Sequence, residues 1–347
     1  MTLRLAFHGT GWIGRSRLQA LLGADAAAVV AICDPSDECA ELALALAPGA
    51  QRAECLEALL DLAPDGLVIA TPSAQHAGEA IAALKRGVPV FCQKPLGVSA
   101  AEVRRVVAAA RSTDRLLGVD FSYRPAAAFS AVADLVRAGE LGSVHAVDLT
   151  FHNAYGPDKP WFYDRRLSGG GCLMDLGVHL VDLALWLFGF PAVEVAAARL
   201  TCQGRPARAD EVEDFALATL NLAGGPVVRL ACSWRAHAGQ DAVIAAEFHG
   251  TSGGAVVRNV NGSFYDFETL RFSGTERHLL ASPPDDWGGR AAVDWARQLA
   301  ESSRYDPAAQ GFIATAEVIE AITAAGLGTL GQGDTPSATR AWPPAHP

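Results

Sequence analysis

Up to about residue 120 the chain alternates short runs of Val, Ile and Leu with longer segments whose apolar residues recur at helical spacing. The short runs LRLAF, VVAIC, LVIA, VPVFC and LLGVDF are almost wholly apolar, as parallel strands covered on both faces tend to be. Residues 12–23, 36–47, 74–87 and 99–113 combine the helical period with good helix formers. Repeated strand–helix–strand order predicts an α/β fold with a doubly wound parallel sheet, since a crossover helix is the usual way back to the next parallel strand.

After Arg124 and Pro125 the rhythm changes. A helix is predicted near 127–139 and a strand near 144–152, followed by an irregular aromatic stretch and an apolar helix from Leu173. Five strand-like segments follow, VEVAAARLTC, DFALATLNL, VVRLACSW, AVIAAEFHG and AVVRNV, with Gly224-Gly225 and Asn261-Gly262 as turn signals. They predict a mostly antiparallel sheet, closed by helices at 286–302 and 308–325. The expected division is a dinucleotide-binding domain at 1–122, a substrate and oligomerisation domain at 123–330, and a loose Pro/Gly-rich tail at 331–347.

Composition narrows the class. Half of the 347 residues are apolar, 19% are charged and the net charge is −10 without acidic blocks or a basic stripe. That balance argues for a large packed interior and against nucleic-acid or anionic-membrane partners. The longest apolar stretch, Leu173 to Phe190, is interrupted by Asp175, His179 and Asp182 and falls short of a membrane span. An apolar strand pattern starts at Leu3 and leaves no room for a signal peptide. Seven cysteines without a C-x-x-C pair argue for reduced thiols in the cytoplasm and against a disulfide framework; no metal site is expected.

The candidate chemistry begins at GTGWIG. Gly9, Gly11 and Gly14 form G-x-G-x-x-G between a strand and a helix, and with Thr10, Trp12 and Ile13 they make the expected pyrophosphate site. Asp34 ends the next strand twenty residues after Gly14, where a carboxylate accepts the adenosine ribose hydroxyls. It repels a 2′-phosphate, so NAD is expected rather than NADP, although Arg15 stands nearby. Thr71 and Pro72 end a later strand on the ligand side of the sheet. His76 follows in the next helix as a cofactor contact or a packing histidine; the residues leave both open. Among 25 arginines and three lysines, Lys94 stands out, because lysine can release its proton and act as a compact donor beside a reacting oxygen.

On an α-helix Asp175, His179 and Asp182 fall in one narrow stripe on an otherwise apolar surface, facing a cavity or another polar element. Such a stripe suits proton transfer, with histidine able to act as base and acid near neutrality. Taken alone, an acid–imidazole pair satisfying itself in the core fits equally well. Gly169, Gly170 and Gly171 would let the helix start close against a cofactor or substrate. Tyr155, Trp161, Tyr163, Asp164, Arg165 and Arg124 are candidates for substrate contact, or for packing between domains.

The ordered set GTGWIG, Asp34, ATPSAQH, QKP and GGGCLMDLGVHLVD resembles the Gfo/Idh/MocA family of NAD(P)-dependent sugar and polyol oxidoreductases. The resemblance implies an N-terminal Rossmann domain and a C-terminal α/β domain with an open antiparallel sheet that mediates homo-oligomers, dimers or tetramers. It makes Lys94, Asp175 and His179 the catalytic group. The small-molecule partner it implies is a sugar, inositol or related cyclic polyol. Gln93 departs from the pattern, standing where the family usually has glutamate; its amide keeps an acceptor for a ribose hydroxyl and removes a charge beside Lys94. Two other functions stay open at this point. One is a glycoside-processing enzyme that oxidises transiently and keeps its NAD; the other is a non-catalytic NAD-responsive regulator.

Overall fold

The computed structural model describes residues 2–328; the expected tail lies outside the described residues. Its first sheet is built from β1 (Arg4–His8), β2 (Ala28–Cys33), β3 (Gln51–Arg52), β4 (Gly66–Ile69), β5 (Val90–Cys92) and β6 (Leu117–Val119). The helices between them are α1 (Trp12–Gly23), α2 (Asp37–Leu46), α3 (Leu56–Asp61), α4 (Ser73–Lys85) and α5 (Ala100–Thr113). All its pairs are parallel, in the order β3-β2-β1-β4-β5-β6 of a Rossmann sheet. The short β3 and α3 had no sequence signal of their own, being two and six residues long.

The second half contains α6 (Ala127–Arg137), β7 (Val144–Asn153), α7 (Arg165–Ser168), a π-helical turn at Leu173–Gly177, and α8 (Val178–Leu187). Then come β8 (Val193–Cys202), β9 (Arg205–Pro206), β10 (Phe215–Leu222), β11 (Val227–Ser233), β12 (Ala242–Gly250), β13 (Gly254–Asn259), β14 (Phe267–Ser273) and β15 (Glu276–Ala281). These form one sheet of nine strands, antiparallel except where β11 runs beside β7. The alternation along β10, with Ala216, Ala218, Leu220 and Leu222 buried and Phe215 and Leu217 exposed, shows that one face packs inward. β14 and β15 extend the sheet beyond the predicted strands; β15 is exposed over nearly all its length and so carries no burial pattern to read.

The described residues close with α9 (Arg290–Glu301) and α10 (Gln310–Gly328). α9 lies within the expected second domain in sequence but packs on the first. It returns to the first sheet, where Val293, Trp295, Ala296 and Leu299 pack with Leu5, Phe7, Val68 and Phe91 in one core. Gly66 and Gly118 leave room for Trp295: a Cβ on Gly118 would lie 2.6 Å from its ring. One face of the parallel sheet is thus completed by a helix that follows the whole second sheet in the chain. The stretch Arg165–Leu187 is, by length and composition alone, apolar enough to cross a membrane, but 78% of its most apolar window is buried inside the protein. It is a core helix.

Candidate active site

The loop from β1 to α1 has the form expected of a dinucleotide cradle. Gly9 has φ +87°, and a Cβ there would lie 2.5 Å from the Ala70 carbonyl. Gly14 presses on Gly9, with a Cβ 2.3 Å from its oxygen, so helix and strand meet at closest approach. A Cβ on Gly11, by contrast, would meet nothing within 4 Å. Open space at the first turn of α1, where backbone N–H groups lack helical partners, suits a pyrophosphate. Trp12 is exposed at the start of the same helix and Ile13 is half-buried.

Asp34 does more here than await a ribose. Its Oδ2 accepts from the Thr10 backbone N–H at 2.6 Å and from Thr10 Oγ1 at 3.2 Å, and Oδ1 accepts from Ser36 N–H at 2.9 Å. Thr10, expected among the cofactor contacts, is fully buried and instead ties the glycine loop to Asp34. Arg15 donates to the Thr10 carbonyl at 2.9 Å. His76 is held in a similar way. It is 1% exposed, with Nδ1 2.7 Å from the Pro95 carbonyl and Nε2 2.7 Å from the Thr71 carbonyl. It pins the loop after β4 to the loop after β5. Burial pushes its pKa down, and the two carbonyls pull it back up.

Lys94, leaving β5, crosses to the second half of the molecule. Its Nζ donates to Asp175 Oδ1 at 2.8 Å and to the Asp175 carbonyl at 2.8 Å. Asp175 Oδ2 accepts from Trp234 Nε1 at 3.1 Å. The segment holding Asp175 is the π-helical turn rather than an α-helix; wide turns of this kind often mark functional positions. The predicted single stripe divides. Asp175 turns to Lys94, whereas Asp182 is buried in a fork with Arg124, at 2.8 and 2.5 Å, and accepts from Thr315 Oγ1 at 3.3 Å.

His179 lies between the two. Its ring centroid is 5.1 Å from Tyr123 and 6.4 Å from Phe151, and its Nδ1 is buried without a hydrogen-bond partner. Burial, then the Lys94 charge, then the Arg17 charge hold its pKa well below the usual histidine value. The imidazole is therefore neutral at physiological pH and keeps a free lone pair. Tyr123 continues the apolar wall to Phe129, Phe267 and Trp287.

The glycines before this helix serve the protein itself rather than a ligand. A Cβ on Gly171 would lie 1.8 Å from the Glu213 carbonyl oxygen, and Gly169, at φ +81°, packs on Val98. Glu213 is buried, accepts from the N–H groups of Gly171 at 2.9 Å and Leu173 at 3.1 Å, and has its pKa raised by burial. It satisfies donors at the helix start.

The expected substrate contacts separate into two sets. Arg124 is committed to Asp182 and lies over the rings of Phe121, Phe190 and Phe312. Arg165 donates to the Glu211 carbonyl at 3.0 Å and lies 3.8 Å from Glu213. It also lines a cavity of about 240 Å³ with Pro95, Val98, Met174, Val178 and Ile319; Lys94, Asp175 and His179 are not part of its wall. Asp164 caps α7 and pairs with Arg166. Trp161, by contrast, stacks on Phe162, and Phe162 and Tyr163 both pack edge-on against Trp234, the indole that holds Asp175. Tyr155 is exposed beside Phe264. Sequence reading missed Trp234, Tyr123, Arg17 and Asp120, none of which carries a local spacing signal. Among the described residues no cluster suited to a metal ion occurs.

Residues 3–121 match the model of an oxidoreductase family with an NAD-binding Rossmann fold, and residues 129–256 match the GFO/IDH/MocA C-terminal domain. The chain belongs to the Gfo/Idh/MocA oxidoreductase family. It is 31% identical over 261 residues to an inositol 2-dehydrogenase of Rhizobium meliloti, covering 75% of this chain and 76% of the relative. It is 33% identical over 276 residues to a putative UDP-kanosamine synthase oxidoreductase subunit of Amycolatopsis mediterranei, covering 74% and 75%. Among solved structures, GenD2 from gentamicin A biosynthesis, in complex with NAD, superposes with TM-score 0.79 at 25% identity over 95% of each chain. The 3-ketoreductase KijD10 from Actinomadura kijaniata, in complex with NADP, matches in fold at 22% identity and TM-score 0.79, covering 94% and 98%. As a Gfo/Idh/MocA member this protein is an oxidoreductase built on an NAD(P)-binding Rossmann fold with a mostly antiparallel second sheet.

Proposed function

We propose that the protein is an NAD-dependent oxidoreductase acting between a secondary hydroxyl and a keto carbon of a sugar, inositol or related cyclic polyol. One observation carries the reading: Lys94 of the nucleotide half reaches Asp175 at 2.8 Å, one helical turn from the neutral His179. The open backbone at Gly11 fits a pyrophosphate, and the carboxylate of Asp34 disfavours a 2′-phosphate, so NAD is taken over NADP. Gly9, Gly11, Trp12, Ile13, Gly14, Asp34, Thr71, Pro72, Gln93 and Lys94 line the cofactor site. When bound, the nicotinamide supplies the hydride acceptor or donor.

The chain's own part is proton management. In oxidation His179 takes the hydroxyl proton, its neutral lone pair being available at physiological pH. Lys94 donates a hydrogen bond to the same oxygen and stabilises the developing alkoxide. Asp175 acts on Lys94, not on the imidazole: its carboxylate and carbonyl aim the ammonium, and Trp234 fixes the carboxylate. Trp161 and Tyr163 close the sugar side of the pocket through Trp234. In reduction the proton runs back.

The reading includes a cytoplasmic homo-oligomer, a dimer or tetramer. Phe215, Leu217 and Val227 are each exposed on β10 and β11, where a second copy would bury them. The test is calorimetric titration with NAD and with NADP, followed by nicotinamide absorbance during incubation with cyclic polyols and sugar nucleotides. NAD binding and net reduction by one of these compounds are expected, and both Lys94→Ala and His179→Ala lower turnover at least about a hundredfold. Binding of NADP alone, or unchanged turnover in both variants, overturns the reading.

A further inference from the structure

Beneath the cofactor loop lies a buried polar knot that the catalytic assignment does not use. Asp120, just past β6, has a side chain with no exposure and pairs with Arg17 of α1 through Nε at 2.5 Å. Ser122 Oγ donates to the other carboxylate oxygen at 2.6 Å and accepts from Arg17 Nη2 at 3.1 Å. The side-chain amide of Gln93 donates its Nε2 to the oxygen that Arg17 holds. A carboxylate only accepts, so this contact settles which end of the amide faces inward. Gln93 Oε1 has no hydrogen bond among the described residues, which leaves this acceptor free for a hydroxyl of the nucleotide.

We infer that Asp120 is a positioning residue: paired with Arg17, it clamps the Gln93 amide so that the cofactor meets one neutral acceptor, while the negative charge of this corner stands at position 120 instead of 93. The inference deepens the cofactor reading and rests on it for the identity of the ligand. Two consequences follow from placement. A glutamate at 93 would set a second carboxylate against Asp120 with one guanidinium between them, and the two would share a proton. Asp120 also offsets Arg17, whose charge helps hold His179 neutral.

The experiment compares the wild type with Gln93→Glu, Asp120→Asn and the double variant Gln93→Glu/Asp120→Asn. Each is followed by thermal unfolding from about pH 5.5 to about pH 8 and by calorimetric titration with NAD. In Gln93→Glu one carboxyl pKa is raised in the folded state, so its stability deficit is expected to grow as pH rises and to shrink on acidification. Its NAD affinity is expected to fall about tenfold, and the double variant is expected to return to within about threefold of wild type because it restores one carboxylate per guanidinium. The inference is overturned if Gln93→Glu unfolds with the wild-type pH profile, or if the double variant is no more stable than the weaker single variant. Should the wild type fail to bind NAD, the cofactor assignment falls, and the unfolding cycle still decides the coupling between 93 and 120.

Discussion

Trp234 donates its indole N–H to Asp175 at 3.1 Å on the side of the carboxylate opposite Lys94. The acid is thereby held from two directions, and the lysine inherits its aim. Trp234→Phe keeps an aromatic ring near Phe162 and Tyr163 while removing this donor together with part of the indole's volume. A hydrogen bond to a charged group is worth about 1.5–3 kcal/mol, so kcat is expected to fall roughly ten- to a hundredfold with little change in NAD affinity. Steady-state kinetics separate the two; equal losses in NAD affinity and kcat would assign Trp234 to cofactor binding instead.

Gly9 and Gly11 sit in one motif under different constraints. At Gly9 both φ and the Ala70 backbone forbid a side chain, while at Gly11 the added carbon meets no protein atom. Gly11→Ala is therefore expected to fold, within about 1 kcal/mol of wild type, and to lose NAD affinity by at least about tenfold as the methyl occupies the pyrophosphate's place. Chemical denaturation and calorimetry check the pair of effects. Unaltered NAD affinity would mean that the pyrophosphate does not pass over this loop.

His179 has a pKa lowered chiefly by burial. It binds its proton more readily in the unfolded chain, so it contributes stability that is present above about pH 6.5 and lost as pH falls below it. Thermal stability is expected to weaken from pH 7.5 to pH 5.5, by up to about 1.4 kcal/mol per pH unit from this histidine. His179→Asn should flatten part of that slope. A slope identical to wild type would show that His179 does not titrate with unfolding.

Arg124 and Asp182 form a fork inside the protein, with burial pushing Asp182 up against the pull of the guanidinium. Arg124→Ala leaves the carboxylate without its charge partner and is expected to cost about 3–5 kcal/mol in urea unfolding. Adding Asp182→Asn should recover part of the loss. A cost under about 1 kcal/mol in the single variant would return Arg124 to the list of ligand contacts.

The contrast between Gly11 and Gly171 shows how much was legible beforehand. Both stand in glycine clusters at helix starts and read alike as ligand-facing. Only the folded backbone separates them, one opening to space and the other pressed on Glu213. The same holds for His76 and Thr10, whose burial and partners are set by loops distant in sequence.

The sequence by itself determined the parallel sheet and the second sheet and singled out Lys94, Asp175 and His179 as candidates, because strand and helix periods and short motifs are local and each residue's neighbours along the chain suffice to reveal them. The tertiary structure decided which groups meet: Lys94 with Asp175 across 81 positions, Arg17 with Asp120 across 103, and α9 with the sheet formed at the start of the chain. Those contacts come from burying apolar faces against one another, and the polar groups trapped by that burial had to find partners wherever the packing brought them.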